Sequence, residues 1–587
     1  MAETIISPGV FQRENDISFI NPAPVEVGAA ILGPTVKGPV EIPTAVTSFN
    51  QYVRLFGETF DNGAAKDEYL TSLAVKNYFS QGGDTVLVTR IVSESSTWTH
   101  AVNTHISSSD NASIQPFELA TLGKGKIYNA GTGSGDALNP KANYVNSDNS
   151  LVSGSEDNLR WEISNKNEKK GTFTLSVRKG NDNHNNKIVL ETFNNISLDP
   201  NSENYIEKVI GTQVQAISAD ATQITTTGDY VNKSNYIRVS KVNSKTLNYF
   251  STDGVTVQSS SAGVGYKKLL PINTSGSFYN ANGLTAIASA SLNLYQNIST
   301  ATQGVIATDY NNVITLLGNK DDYKFNVISA PGLFKNNHST QIDNIISLAE
   351  SRGDCIAVVD LYPHGASVAN VTGQADVLNS SYAAAYWPWL QTQSATGKNV
   401  FVPASVFIPG VYAFTDGAAA PWFAPAGLVR GGIVGVIQAE RKLSRSQRDT
   451  LYDAKVNPIA TFPGSGIAVF GQKTLQTKAS ALDRVNVRRL LIELKEFIGN
   501  QAQNLVFEQN TIATRNKFLA AVNPFLDSVV QRQGLFAFRV VMDDTNNTAD
   551  VVDRNQLVGQ IFIQPAKTAE FIVLDFTVEP TGATFGQ

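Results

Sequence analysis

The segments YKFNVISAPGLF (323–334), IDNIISLAESRG (342–353) and CIAVVDLYP (355–363) decide the fold. The first is an apolar, strand-prone run expected to end at Pro331-Gly332. The second has the periodicity of an amphipathic helix, and the third that of a buried strand. Strand, helix, strand is the unit of an α/β layer. The same grammar appears far upstream. Val25 to Leu32 read as a buried strand, followed by turn signals at Gly33-Pro34 and Gly38-Pro39. DEYLTSLAVKNYFS (67–80) spaces Leu70, Leu73, Ala74, Val75 and Tyr78 as a helix, with Asp67 as its expected cap and Gly82-Gly83 as its stop. TVLVTRIV (85–92) is a strand. The later unit is expected to extend the earlier sheet, so the body is discontinuous in sequence.

Between them, residues 96–322 are rich in Asn, Ser, Thr and Gly. RWEI (160–163), TFTLSVR (172–178), KIVLE (187–191) and YIRVSKV (236–242) read as short strands separated by turn clusters. This predicts one or two inserted β-rich domains. Further on, LSRSQRDTLYDAKV is helical with Ser444 as N-cap, and DRVNVRRLLIELKEFIGNQAQNLVF is the strongest helix pattern of the chain. LFAFRVVMDD, QLVGQIFIQPA and AEFIVLDFTV are strands. The expected class is α/β and α+β multidomain. Residues 1–24 form an arm and linker, and 25–95 with 323–375 the first part of the α/β body. Residues 96–322 form the insert, 376–569 a C-terminal α/β body, and 570–587 a terminal strand and arm.

Composition bounds the function. The 587 residues are 42% hydrophobic and 17% charged, with a formal net charge of −5, a soluble globular profile. That balance argues against nucleic acid as the main partner. The single cysteine, Cys355, excludes internal disulfides and reads as a buried thiol. No secretory signal is visible, and no run reaches the roughly 18 apolar residues of a membrane helix.

Chemical motifs fail one by one. GIAVFGQKT (466–474) places Gln472 where a phosphate loop needs lysine, and its spacer suits a strand. GTGSGD (131–136) lacks dinucleotide-binding spacing. His100, His105, His184, His338 and His364 show no zinc pattern. DDTNNTADVVD (543–553) lacks the glycine and glutamate of a calcium loop and reads as a hairpin turn. The RGD at 352–354 reads as a helix-ending turn. No catalytic, cofactor or metal site is expected, and no enzyme.

Several stretches together resemble the sheath proteins of contractile phage tails. They are SPGVF with VGAAILGPTVKGPVEIPTAVTSFNQYVRLFG, YLTSLAVKNYFSQGGDTVLVTRIV, ETFNNISLDPNSENYIEKVI (191–210) and ISAPGLF. The C-terminal series, from GVIQAERKLSRSQRDTLYDAKVNPIATFPGSGIAVFGQKTL to AEFIVLDF, resembles the family best. The resemblance implies a subunit of hexameric rings stacked as a sleeve around an inner tube, contracting by subunit repacking. Partners would be further copies, the tube protein, and baseplate and terminator proteins. Nucleic acid and membrane insertion are not expected. The location would be the virion tail, assembled in the host cytoplasm. It also implies terminal arms that add strands to a neighbour's sheet. Ile5, Ile6, Val10 and Phe11 would lie in one arm, and Phe571, Val573, Leu574 and Phe576 in the other. A basic helix facing an acidic tube would draw on Arg441, Lys442, Arg445 and Arg448, or on Arg484, Arg488 and Arg489; ordinary solvated or ion-paired faces are the competing reading. The alternative function is a host-surface or carbohydrate-binding virion protein, with Trp98, Trp161 and Tyr249 stacking on sugars.

Overall fold

The computed structural model describes residues 26–61, 66–109, 113–125, 157–182, 185–260, 263–283, 298 and 304–570. The arm positions Ile5, Ile6, Val10, Phe11, Phe571, Val573, Leu574 and Phe576 lie outside the described residues, as do residues 131–136 and His184.

The body is an eight-stranded sheet. In spatial order its strands are Thr44–Val46, Val86–Arg90, Glu26–Gly33, Lys324–Phe334, Ile356–Asp360, Ala383–Trp387, Val456–Phe462 and Gly466–Val469. The Glu26–Gly33 strand lies parallel to both Val86–Arg90 and Lys324–Phe334, with Ala29 opposite Val86 and Val327. Its inner strands are parallel and covered on both faces, so they read as unbroken apolar runs. Alternate residues serve opposite cores. Ala30, Leu32, Ala357 and Val359 pack with Ile342, Ile345 and Ala349 of the helix Ser339–Arg352. Ala29, Ile31, Ile356 and Val358 pack with Leu70 and Leu73 of the helix Leu70–Ser80 and with Val411 and Tyr412.

Two local expectations are corrected. The strand Lys324–Phe334 does not end at Pro331-Gly332; it continues to Phe334, with a register shift between Ser329 and Phe334 that takes up three residues and contains Pro331-Gly332. Asp67 does not cap a helix. It sits in the short strand Lys66–Glu68, in an ion pair with Lys398 at 3.2 Å, and the helix begins at Leu70 behind Tyr69. The RGD turn is as expected: Gly353 adopts the left-handed conformation (φ 71°) that closes the helix, and Arg352 pairs with Asp354 at 2.8 Å.

Residues 100–279 supply a second, antiparallel seven-stranded sheet. Its order is Val189–Ser197, Thr172–Lys179, Leu159–Asn167, Thr274–Tyr279, His100–Asn103, Phe117–Lys124 and Ile237–Val242. Trp161, Phe117, Leu175 and Tyr249 share its single core. The sugar-stacking expectation is therefore corrected. Trp98, Trp161 and Tyr249 are 7%, 1% and 4% exposed, with no ring face left for a ligand. Their polar atoms are used internally: Trp161 Nε1 donates to the Ser277 carbonyl and Tyr249 Oη to the Glu168 carbonyl.

This sheet is fastened to the body by Arg90. Its buried guanidinium donates to the carbonyls of Gly38 (2.8 Å) in the body and Lys124 (3.1 Å) in the insert, and stacks on Trp98 at 5.0 Å. A Lys37–Asp157 ion pair at 2.7 Å adds a second tie.

The insert is also expected to be acid-sensitive. Burial, with Arg238 and Lys124 nearby, pushes the His100 imidazole down to about 4. The unfolded chain takes up this proton near pH 6.5 while the folded chain refuses it until about pH 4. Stability should therefore fall across that window as pH drops, by up to about 3 kcal/mol. His100→Phe is expected to flatten that part of the pH–melting curve; an unchanged slope would contradict it.

Candidate interaction surfaces

Helix α1 (Arg445–Asp453) starts at Ser444, whose Oγ accepts from the Gln447 amide, while Gln447 accepts from the Ser444 amide in return. This reciprocal cap fixes where the basic segment 441–448 projects. Lys442 and Arg445 are exposed. Arg441 lies 5.7 Å from the Trp387 ring centre, and Arg448 lies over Phe462 and Phe470 at 5.6 and 5.7 Å.

The second basic group is different. Helix α2 (Val485–Gln503) has every residue from Val485 to Leu490 buried, because its first two turns are wedged between the body and the last helices. Arg488 donates to the carbonyl and hydroxyl of Ser381 and stacks on Tyr382 at 3.9 Å. Arg489 pairs with Asp416 at 2.5 Å and lies over Tyr412 at 4.7 Å. Arg484 is tied to Glu570 at 2.7 Å and to Asp483 at 3.0 Å. The expectation of a tube-facing Arg488 and Arg489 is therefore corrected: both point into the subunit, and their partners lie far away in sequence.

After α2 comes a connection and then helix α3 (Ile512–Gln531), which is not among the helices expected from the sequence. Its signals were present: Thr511 as N-cap, and Phe518, Val522, Leu526 and Val529 at helical spacing. Pro524 inside the helix obscured them.

The chain then forms a two-stranded antiparallel sheet, Leu535–Val541 with Gln560–Pro565. Between them, DDTNNTADVVD is not a simple hairpin turn. Asp543 caps Thr545, whose hydrogen bonds hold its carboxyl below the usual range, and Ala549–Asp553 is a short helix. Among the described residues neither outer edge of this sheet is paired, and Phe536 and Phe562 are 69% and 56% exposed. A lone two-stranded sheet is marginal in water, and an open apolar edge invites a further strand.

Among the described residues no three His, Cys, Asp or Glu side chains are placed to hold a metal, and no helix is long and apolar enough to cross a membrane.

Comparison with known proteins accounts for this arrangement. The family model of the phage tail sheath protein central domain matches residues 295–475, and that of the phage tail sheath C-terminal domain matches residues 477–579. Residues 295–475 and 477–579 belong to the phage tail sheath family.

The sheath C-terminal match holds α2, α3 and the open two-stranded sheet. Relatives of this sheath chain include the tail sheath protein of Vibrio phage KVP40, 41% identical over 32% of this chain and 28% of the relative. Another is the tail sheath protein of Enterobacteria phage T4, 33% identical over 42% of this chain and 40% of the relative. The matched part of the sheath chain thus spans less than half the length of these relatives. A sheath tail protein from Listeria innocua has a similar fold, with a TM-score of 0.50 at 10% identity over 92% of this chain and 96% of that one.

Proposed function

We propose that this protein is the structural subunit of a contractile tail sheath. It polymerises as stacked hexameric rings around an inner tube and contracts by repacking, driving the tube through the host envelope. The observation that carries the reading is the open sheet Leu535–Val541/Gln560–Pro565 with its exposed Phe536 and Phe562. Strands offered by neighbouring copies would complete it through backbone hydrogen bonds, with alternate side chains setting register. Ile5, Ile6, Val10 and Phe11, and Phe571, Val573, Leu574 and Phe576, are the arm residues assigned to that role. Two packings of one fold that differ in free energy suffice for contraction, so no nucleotide, cofactor or enzymatic step is invoked. The baseplate and terminator proteins are the partners at the two ends. The location is the virion tail, with assembly in the host cytoplasm.

The test is a chain lacking residues 1–20 and 571–587. It is expected to fold as a monomer and to lose polymerisation. Polymers identical to those of the full chain would sink the arm assignment.

For the tube, the proposed face is Arg441, Lys442 and Arg445, with Arg448 behind them on its aromatic shelf. Arg441→Glu combined with Arg445→Glu should leave the fold intact, since these side chains form no ion pair among the described residues. It should prevent tube-filled assemblies. Normal tube-filled tails from that variant would refute the assignment.

A further inference from the structure

The connection between α2 and α3 carries an unusual apolar prong. Phe507 is 104% exposed and sits in the left-handed region at φ 69°, a conformation that costs a bulky side chain energy. Val506 and Ile512 beside it are 61% and 64% exposed, and Glu508 next to it is also exposed. Two backbone turns, from the Val506 amide to the Gln503 carbonyl and from the Glu508 amide to the Leu505 carbonyl, hold the prong out, with Leu505 buried as its root.

At the far end of α2 lies a groove of about 760 Å³ between the body, the terminal sheet and the start of α2. Its walls include Trp422, Phe423, Phe470 and Phe536, and its charged lining sets Arg430, Lys567 and the tube-face candidates Arg445 and Arg448 against Asp449 and Glu570. Two buried acceptors on its lining have no partner among the described residues: Asn486 Oδ1 and Gln472 Oε1, on side chains each 3% exposed. Buried acceptors of this kind are costly unless a ligand supplies donors.

We infer that the Val506–Phe507–Glu508 prong of one copy seats in the Trp422/Phe470/Phe536 groove of a second copy. Phe507 would fill the aromatic slot, Glu508 would meet Lys567 and Arg430, and the Phe507 N–H, which the two turns do not use, would reach Asn486 or Gln472. The contact is between copies. The 19 residues of α2 hold the prong about 28 Å from the groove of its own chain. A patch and a pocket at opposite ends of one helix make a head-to-tail contact, which closes a ring or extends a helical filament. The inference rests on the self-assembly reading above but names an attachment separate from the arms.

The test is engineered cysteine cross-linking in the full chain, whose native Cys355 is buried. Phe507→Cys with Ala566→Cys, a groove residue, should give a ladder of disulfide-linked oligomers on a non-reducing gel. Neither single variant should give more than a dimer. Separately, Phe507→Ser should raise the concentration needed for polymerisation by about thirty-fold, the loss typical of a central aromatic anchor. Glu508→Lys should weaken polymerisation, and Lys567→Glu in the same chain should restore it. A ladder without tubes supports this contact and overturns the sleeve. Tubes without a ladder from the double-cysteine chain, together with a Phe507→Ser chain that polymerises as readily as wild type, overturn this contact and leave the sleeve standing. Neither tubes nor ladder overturns both.

Discussion

Asp182→Ala is expected to melt the inserted sheet while the body survives. Asp182 is the shared acceptor of two guanidiniums. Arg160 Nη1 lies at 3.2 Å from one carboxylate oxygen and Arg178 Nε at 2.6 Å from the other, and the Ile188 amide donates to the second oxygen at 3.1 Å. All three side chains are fully buried. Burial and the neighbouring Arg178 already pull the Arg160 guanidinium below its ordinary value, and Asp182 offsets part of this. Removing the carboxylate leaves two buried guanidiniums side by side with Glu162, 2.9 Å from Arg178, as an acidic neighbour, which costs about 3 kcal/mol. Arg160 and Arg178 lie on the insert's own strands and Asp182 in the turn that follows Thr172–Lys179, so the loss falls there. Scanning calorimetry should show a separate transition about 10 °C lower, with the body transition unmoved. Hydrogen exchange should quicken across residues 159–197 and not across 356–387. A single unshifted transition would contradict this assignment of the trio.

Arg489→Glu is the second large effect, and it separates two readings of the same helix. Were Arg489 part of a tube-facing surface, the variant would fold normally and fail only at assembly. The structure instead pairs it with Asp416 under the Tyr412 ring at 4.7 Å. A glutamate there faces Asp416 in a buried site, without its cation, and the expected loss is about 4 kcal/mol or more. The variant should be poorly soluble, or melt far below wild type. Asp416→Ala should cost less, because the Asp416 side chain is 29% exposed and the orphaned cation keeps the Tyr412 face. A well-folded Arg489→Glu monomer would return this residue to the surface.

The contrast between Arg489 and the body strands shows what a single sequence exposes. Ala29–Leu32 and Ile356–Val359 were legible because a parallel strand covered on both faces must be apolar at every position, and composition alone reveals that. The Ser444 cap was legible because it is made with a residue three positions away. Partners distant in sequence were not. Asp416 and Tyr382 turn Arg489 and Arg488 inward, and nothing in the local string RRLLIELKE announces either. Trp98, Trp161 and Tyr249 failed for the same reason: an aromatic in a polar, Asn-rich stretch looks available until the sheet closes over it. Helix α3 was hidden by Pro524, although its apolar spacing survived. Phe507 ran the other way, since an aromatic beside Leu505 and Val506 reads as core, and only the fold leaves it outside.

Self-assembly into a sleeve is tested by negative-stain electron microscopy of the purified 587-residue chain. Hollow striated tubes or six-fold rings are expected. Monodisperse monomers at every concentration, persisting when the inner tube protein is supplied as a nucleus, would contradict self-assembly.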